Sequence, residues 1–180
     1  INMSLICPSS GFGQILWQDA LDYAHSKGLV IIASAGNHRE YLDNTDSTYY
    51  APAELNHVIT VGATNSEDED CRPNLSGQAS NCGWGDPGTG YGPMLDIMAP
   101  GSTDIWTIEL GGGYEQHFGG TSASAPFVSG LAALVLSLDP SLTPDQVENL
   151  IEANADALDP YAEGHPNWSF GWGRINAYKT

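Results

Sequence analysis

Apolar and polar positions alternate along this chain in a way that spells out strands and helices. Ile1-Asn2-Met3-Ser4-Leu5-Ile6 reads as the interior of a buried strand with no polar lead-in, so the natural polypeptide is expected to begin upstream. A Ser-Ser-Gly-Phe-Gly loop follows. From Ile15 to Lys27, apolar side chains at Ile15, Leu16, Ala20, Tyr23 and Ala24 predict a surface helix, with Gly28 placed to stop it. Leu29-Val30-Ile31-Ile32-Ala33 is apolar at every position and largely β-branched, as a central parallel strand covered on both faces should be. Strand, helix and strand make a βαβ unit.

Further strands are expected at Val58–Ala63 and Leu95–Gly101, separated by long turn-rich segments. Ile105–Leu110, the glycines Gly111, Gly112 and Gly113, and Tyr114–Phe118 predict a hairpin. That glycine run is a turn and not a phosphate loop, because no Lys-Ser/Thr pair follows it. Ser122 to Leu138 is small or apolar on almost every face, which predicts a helix buried all round and ended by Asp139-Pro140. Thr143-Pro144-Asp145-Gln146 supplies an N-cap, a first-turn proline and a capping-box glutamine for an amphipathic helix to about Ala153. No stretch of about 18 unbroken apolar residues is read as a membrane span, and no basic-then-apolar leader opens the chain.

Composition narrows the class. With 180 residues, 41% of them hydrophobic, the chain can bury one ordinary core and is read as a single unit. Twenty-two acidic residues against five basic ones give a net charge of −17, which excludes nucleic acid and anionic membrane as partners bound by charge. Cys71 and Cys82 flank a polar loop at a separation that a local disulfide could close, and such a bond implies an oxidising, extracellular setting. Cys7 is left over, either as a buried thiol or as the partner of a cysteine elsewhere.

Two motifs carry chemistry. Gly119-Gly120-Thr121-Ser122-Ala123-Ser124-Ala125-Pro126 sets a serine at the start of the apolar helix, where free amides and the positive end of the helix dipole favour a developing anion. Ala33-Ser34-Ala35-Gly36-Asn37 ends a buried strand on an asparagine whose amide could face that anion. Taken separately, Ser122 is equally readable as an N-cap, and Asn37 as a turn former.

Together and in order, the motifs resemble the subtilisin-like serine proteases, the subtilases. Asn2-Met3-Ser4-Leu5 is similar to that family's substrate-binding strand, Ala35-Gly36-Asn37 to its oxyanion motif, and Val61-Gly62-Ala63 to a core strand. Asp96–Gly101 resembles the stretch before its hairpin, Gly120-Thr121-Ser122 with Pro126 its nucleophile box, and Gly171–Ala177 its closing segment. The resemblance implies an α/β, three-layer subtilisin-like fold, a mainly parallel sheet flanked by helices, with residues 1–180 forming the C-terminal portion of one catalytic domain. It implies peptide-bond hydrolysis through an acyl-enzyme at Ser122, with Asn37 and the Ser122 amide as oxyanion donors. Ser4, Leu5, Ala35, Gly36 and Thr121 would bind a polypeptide substrate, Gly36 leaving room for its side chain. No cofactor is needed for the chemistry. Asp96 resembles a cation-site position, where carbonyls of nearby loops would complete a structural calcium site.

Departures matter as much. Ile6-Cys7 stands where the family usually has glycine, which narrows the groove, and the Cys71–Gly92 segment is long and glycine-rich. The family places Asp, His and Ser in that order, yet no Asp-Thr/Ser-Gly or His-Gly-Thr-His pattern occurs. None of His25, His38, His57, His117 and His165 stands where the family has its base, although His38 and His117 are close in sequence to the two motifs. The triad Asp and His are therefore expected in a missing N-terminal part, and the chain alone is expected to be inactive. The acidic runs Glu67–Asp70 and Asp43-Asn44-x-Asp46 read as solvated loops rather than calcium sites. Sedolisin-type serine-carboxyl peptidases share the Gly-Thr-Ser-Ala-Ser box but carry aspartate where Asn37 stands and in a glycine motif at the Gly171–Asn176 position. A non-catalytic homologue kept for binding is the remaining alternative.

Overall fold

The computed structural model describes residues 1–45, 49–72, 81–85, 87–158 and 166–180, which leaves Asp46, His165 and the 73–80 loop outside the described residues. The elements run β1 (Asn2–Met3), β2 (Cys7–Ser9), α1 (Phe12–Ser26), β3 (Ile32–Ser34), β4 (Tyr49–Ala51), β5 (Ile59–Thr64), β6 (Ile97–Pro100), β7 (Ile105–Ile108), β8 (Tyr114–Phe118), α2 (Thr121–Leu138) and α3 (Pro144–Ala153). Strands β1, β3, β5 and β6 form a parallel sheet in that order, with Ile32 paired to Asn2 and to Ile59, and Val61 to Ile97.

Alternation along the strands divides the core. Val30, Ile32, Ile59, Val61, Ile97 and Ala99 pack with Val128, Leu131, Ala132 and Val135 of α2 and Val147 and Ile151 of α3. Ile31 and Ala33 turn to the opposite face and pack with Leu21 of α1, Ala51, Leu55 and Val58. Helices on both faces of a parallel sheet make the three layers the sequence implies.

Several expectations shift. α1 begins at Phe12, just after Gly11 at φ 54°, rather than at Ile15. Its inward face is Leu21 with Trp17 and Ala24, which leaves Ile15, Leu16 and Tyr23 exposed. β1 is only two residues long, and β2 pairs antiparallel with β4 in segments that read as loops.

α2 is not buried all round. It exposes Phe127, Leu134 and Leu138 at 44%, 60% and 86% while burying Val128, Leu131 and Val135, because it lies along one face of the sheet and no described residue covers its far side. Its 18 residues are also long and apolar enough to cross a membrane, which the sequence reading did not anticipate. Its packing on β3, β5 and β6 is that of a core helix.

The hairpin turns on Gly111, Gly112 and Gly113, all at positive φ. In α3, the Gln146 amide donates to Thr143 Oγ1 at 3.3 Å and the Thr143 amide donates to Gln146 Oε1 at 2.8 Å, the reciprocal pair the sequence predicts.

Candidate active site

Ser122 sits in the first turn of α2, and the seat is shaped by its neighbours. Gly120, the N-cap residue at φ 86°, carries no capping side chain. The cap comes instead from Asn37, just past the end of β3, whose Oδ1 accepts from the Thr121 amide at 3.0 Å and from Thr121 Oγ1 at 2.8 Å. A Cβ on Gly120 would stand 3.0 Å from Asn37 Nδ2 and 3.2 Å from its Oδ1, so glycine there lets the amide lie against the turn. Fixing Oδ1 also fixes Nδ2, which has no acceptor among the described residues, and neither has the Ser122 amide. Two N–H donors next to this turn, one of them at the positive end of a helix, are thus left without an acceptor among the described residues.

Pro126 completes the seat from below. In a regular helix the amide of residue 126 would bond the carbonyl of Ser122, but proline has no N–H. The freed Ser122 carbonyl accepts instead from Ser4 Oγ at 2.9 Å, and Ser122 Oγ donates to the Ser4 carbonyl at 3.4 Å. Ser34 Oγ in turn donates to the Leu5 carbonyl at 3.3 Å. Ser4 and Leu5 are thus pinned between Ser122 and the end of β3. Ser124 Oγ bonds the Ala99 and Pro100 carbonyls, and a Cβ on Gly101 would lie 2.5 Å from both Ser124 Oγ and Ala63 Cβ, so glycine there permits β6 to end hard against the first turn of α2.

Ala35 and Gly36 are buried beside Asn37, and the space over Gly36, which the resemblance implies is left for a substrate side chain, is occupied. A Cβ at Gly36 would meet Ile6 Cδ1 and Glu40 Oε2, each at 2.8 Å. Ile6 therefore occupies the space over Gly36, and Glu40, which the sequence reading passed over, brings a carboxylate against the same glycine.

No imidazole is the partner of Ser122 among the described residues, since its hydroxyl bonds the Ser4 carbonyl. His38 is exposed, with its amide donating to Glu40 Oε2, and His117 is exposed on β8.

Asp96 lies away from Ser122 and faces α3. Its Oδ2 accepts from the Thr60 amide at 2.7 Å, and its carboxylate gathers with those of Glu148 and Glu152 so that one oxygen from each lies within 4.8 Å of the others. Its companions in this cluster are side chains four residues apart on α3, which the resemblance did not point to. Burial, opposed by the Thr60 bond and reinforced by Glu148 and Glu152, holds the Asp96 carboxyl well above its usual range. Burial and then Asp145 raise Glu148, against His25, while burial and then Glu148 push Glu152 to about 7. Three close carboxyls without a cation between them resist ionising together.

Two members of the Glu67–Asp70 run are built into the structure, while Asp46 of the other run lies outside the described residues. Asp70 is buried and paired with Arg39 and Arg72 at 3.1 and 3.3 Å, a correction to its reading as part of a solvated loop, and Asp68 pairs with Arg174. Cys71 and Cys82 form the expected disulfide, with Cα atoms 5.4 Å apart, and Cys7 is a half-buried free thiol in β2.

Comparison with known proteins places this arrangement. The chain is 36% identical over 187 residues to a calcium-dependent protease of Nostoc sp. strain PCC 7120, the match covering 89% of the chain and 26% of the relative. It is 35% identical over 176 residues to a subtilisin of Bacillus pumilus, covering 98% of the chain and 54% of the relative. The solved MycP3 protease of the type VII (ESX-3) secretion system superposes with a TM-score of 0.76 at 27% identity, over 99% of this chain and 52% of that one. The chain thus spans between about a quarter and a half of the length of these relatives. A family model described as the subtilase family matches residues 1–173, and the chain belongs to that family.

Proposed function

We propose that the protein containing this chain is a serine endopeptidase that cleaves polypeptides through an acyl-enzyme on Ser122. Ser122 Oγ attacks the scissile carbonyl carbon, and the oxyanion that forms is held by the Ser122 amide and Asn37 Nδ2. The observation that carries this reading is the anchoring of Asn37: with Oδ1 spent on Thr121, its N–H group is held in place before any substrate arrives. The general base and the aspartate that orients it are supplied by a part of the protein preceding Ile1, and residues 1–180 alone are then expected to be inactive. A serine-directed fluorophosphonate tests the assignment. Stoichiometric labelling of the full-length protein at the Ser122 peptide, read by mass spectrometry, supports it, and an unlabelled Ser122 favours a non-catalytic homologue.

The sedolisin alternative gains nothing from the closing segment, where Arg174 and Asn176 converge on Asp156 and fill it with a cation and an amide in place of a calcium site. The disulfide supports export to an oxidising compartment.

A substrate would extend the sheet edges at Ser4-Leu5 and Ala35-Gly36, adding a strand. Ile6 stands over Gly36 where the side chain before the scissile bond would enter. Ile6→Gly should therefore raise kcat/KM for substrates with an aromatic residue there, relative to alanine, by about tenfold or more. Paired peptide substrates measure it, and an unchanged ratio would remove Ile6 from the pocket.

Calcium is proposed as a structural ion held by Asp96, Glu148 and Glu152, whose hard oxygens suit it. A carboxyl with a raised pKa keeps its proton in the folded state where the unfolded chain has lost it. Between the ordinary 4.5 and the raised value of about 7 for Glu152, metal-free protein should then lose stability as pH rises. For this partly exposed group the loss is about 1–2 kcal/mol after allowing for solvent screening. Thermal unfolding in chelator at pH 5 and pH 8 should show it, with saturating calcium or Glu152→Gln reducing it. Equal loss in all three conditions would remove Glu152 as its source.

A further inference from the structure

On the face of the molecule where α1 ends and α3 begins, two histidines and two aspartates converge from three stretches of chain. His25 lies in the last turn of α1, and its Nε2 is 2.7 Å from Oδ1 of Asp145 in the first turn of α3, 120 residues away. The His57 ring, from the turn that enters β5, stacks on the His25 ring with centroids 3.9 Å apart and planes 17° from parallel. His57 Nε2 is 3.8 Å from Asp22 Oδ1, one helical turn before His25. One ligand atom from each of His25, His57 and Asp145 lies within 4.8 Å of the others.

Two features set this cluster apart from a chance surface grouping. His57 holds a left-handed backbone at φ 66°, a conformation that costs a non-glycine residue energy, and that backbone places its ring on His25. The two imidazoles, one stacked on the other and each beside a carboxylate, also offer an N2O or N2O2 donor set. We propose that His25, His57 and Asp145 bind a first-row transition-metal ion, zinc above all, with Asp22 or a water as the fourth ligand.

Imidazole with carboxylate suits zinc, copper or nickel and is a poor site for calcium or magnesium, which take oxygen alone. Zinc–nitrogen and zinc–oxygen bonds of about 2.0–2.1 Å in a tetrahedron separate neighbouring ligand atoms by about 3.3 Å. The His25–Asp145 contact needs to open by little more than half an ångström, and the exposed His57 ring needs to turn its nitrogen inward. Binding takes the His25 Nε2 lone pair, which leaves the ring proton on Nδ1. The ion would clasp α1 to α3 at the entry to β5, well away from Ser122. The site is separate from the Asp96–Glu148–Glu152 carboxylates, which offer no nitrogen.

The test is thermal unfolding of the full-length protein carrying Ser122→Ala, to prevent self-cleavage, in chelator and then with zinc or calcium. Saturating zinc should raise Tm by about 3 °C or more. His57→Asn, chosen because asparagine tolerates the left-handed backbone, should leave the zinc-free Tm nearly unchanged and abolish the zinc shift, as should His25→Gln. Cobalt(II) in place of zinc should give the intense visible absorption of a tetrahedral ion, lost in both variants. No zinc shift in the parent, a shift that survives both substitutions, or a shift lost only in Glu152→Gln would each overturn the proposal.

Discussion

Ser122→Ala in the full-length protease is expected to lower kcat by about 10⁶, a scale that subtilisin itself sets and that is carried over here. The substitution is clean because the structural duties of Ser122 are mostly main-chain. Its carbonyl accepts from Ser4 Oγ and its amide stays at the helix start, and alanine keeps both. Among the described residues, the one side-chain bond lost is the 3.4 Å contact to the Ser4 carbonyl, which is long for a hydroxyl donor. Tm should thus stay within about 1 °C of the parent, on the scale of small surface changes. Peptide hydrolysis measured beside unfolding separates the two effects. Activity within about tenfold of the parent, a loss of barely 1.4 kcal/mol, would end the case for Ser122 as nucleophile.

Asn37→Ala is expected to reduce kcat by about 10²–10³ with KM little changed, since the lost N–H bond strengthens only as the oxyanion develops. This magnitude too is known from subtilisin. Here the substitution removes a second thing, the distal cap on α2, so alanine should also cost about 1 kcal/mol of stability. Asn37→Asp separates the roles. Aspartate keeps an oxygen for the Thr121 amide and hydroxyl but offers no N–H and adds negative charge beside the oxyanion. Its kcat should fall at least as far as that of alanine while more of the stability is retained. An aspartate variant that kept its activity would confine Asn37 to capping.

The sequence made the core strands readable wherever one physical constraint dominated. Val30–Ala33 is apolar at every position because both faces of the sheet are covered there, whereas Leu29 before it is exposed, and the Thr143–Gln146 box is legible because capping is local chemistry. The nucleophile and oxyanion motifs could be found, but the cap that Asn37 places on Thr121 spans 84 residues and no local pattern encodes it. The exposed side of α2 was hidden for a different reason. Composition records that a helix is apolar, not how many of its faces find a partner. Glu148 and Glu152 did carry a signal, two carboxylates at i and i+4, yet that spacing is equally common on solvated helices. Burial of Asp70 required knowing that Arg39 and Arg72 would close on it. Glu40 reaches the groove only because the loop after β3 folds back on Gly36.

Pro126 has one more effect. By withholding an amide it hands the Ser122 carbonyl to Ser4, and so gives the proposed nucleophile and the strand that would receive the peptide a shared mechanical datum. A shift of the Ser4-Leu5 edge pulls on the backbone of Ser122, and a tilt of α2 pulls on that edge. Substrate that adds to the sheet there and stiffens it would also steady the serine. Alignment of the bond to be cut with the atom that cuts it is then maintained by a tether a few atoms long, and not by the accumulated rigidity of everything between them.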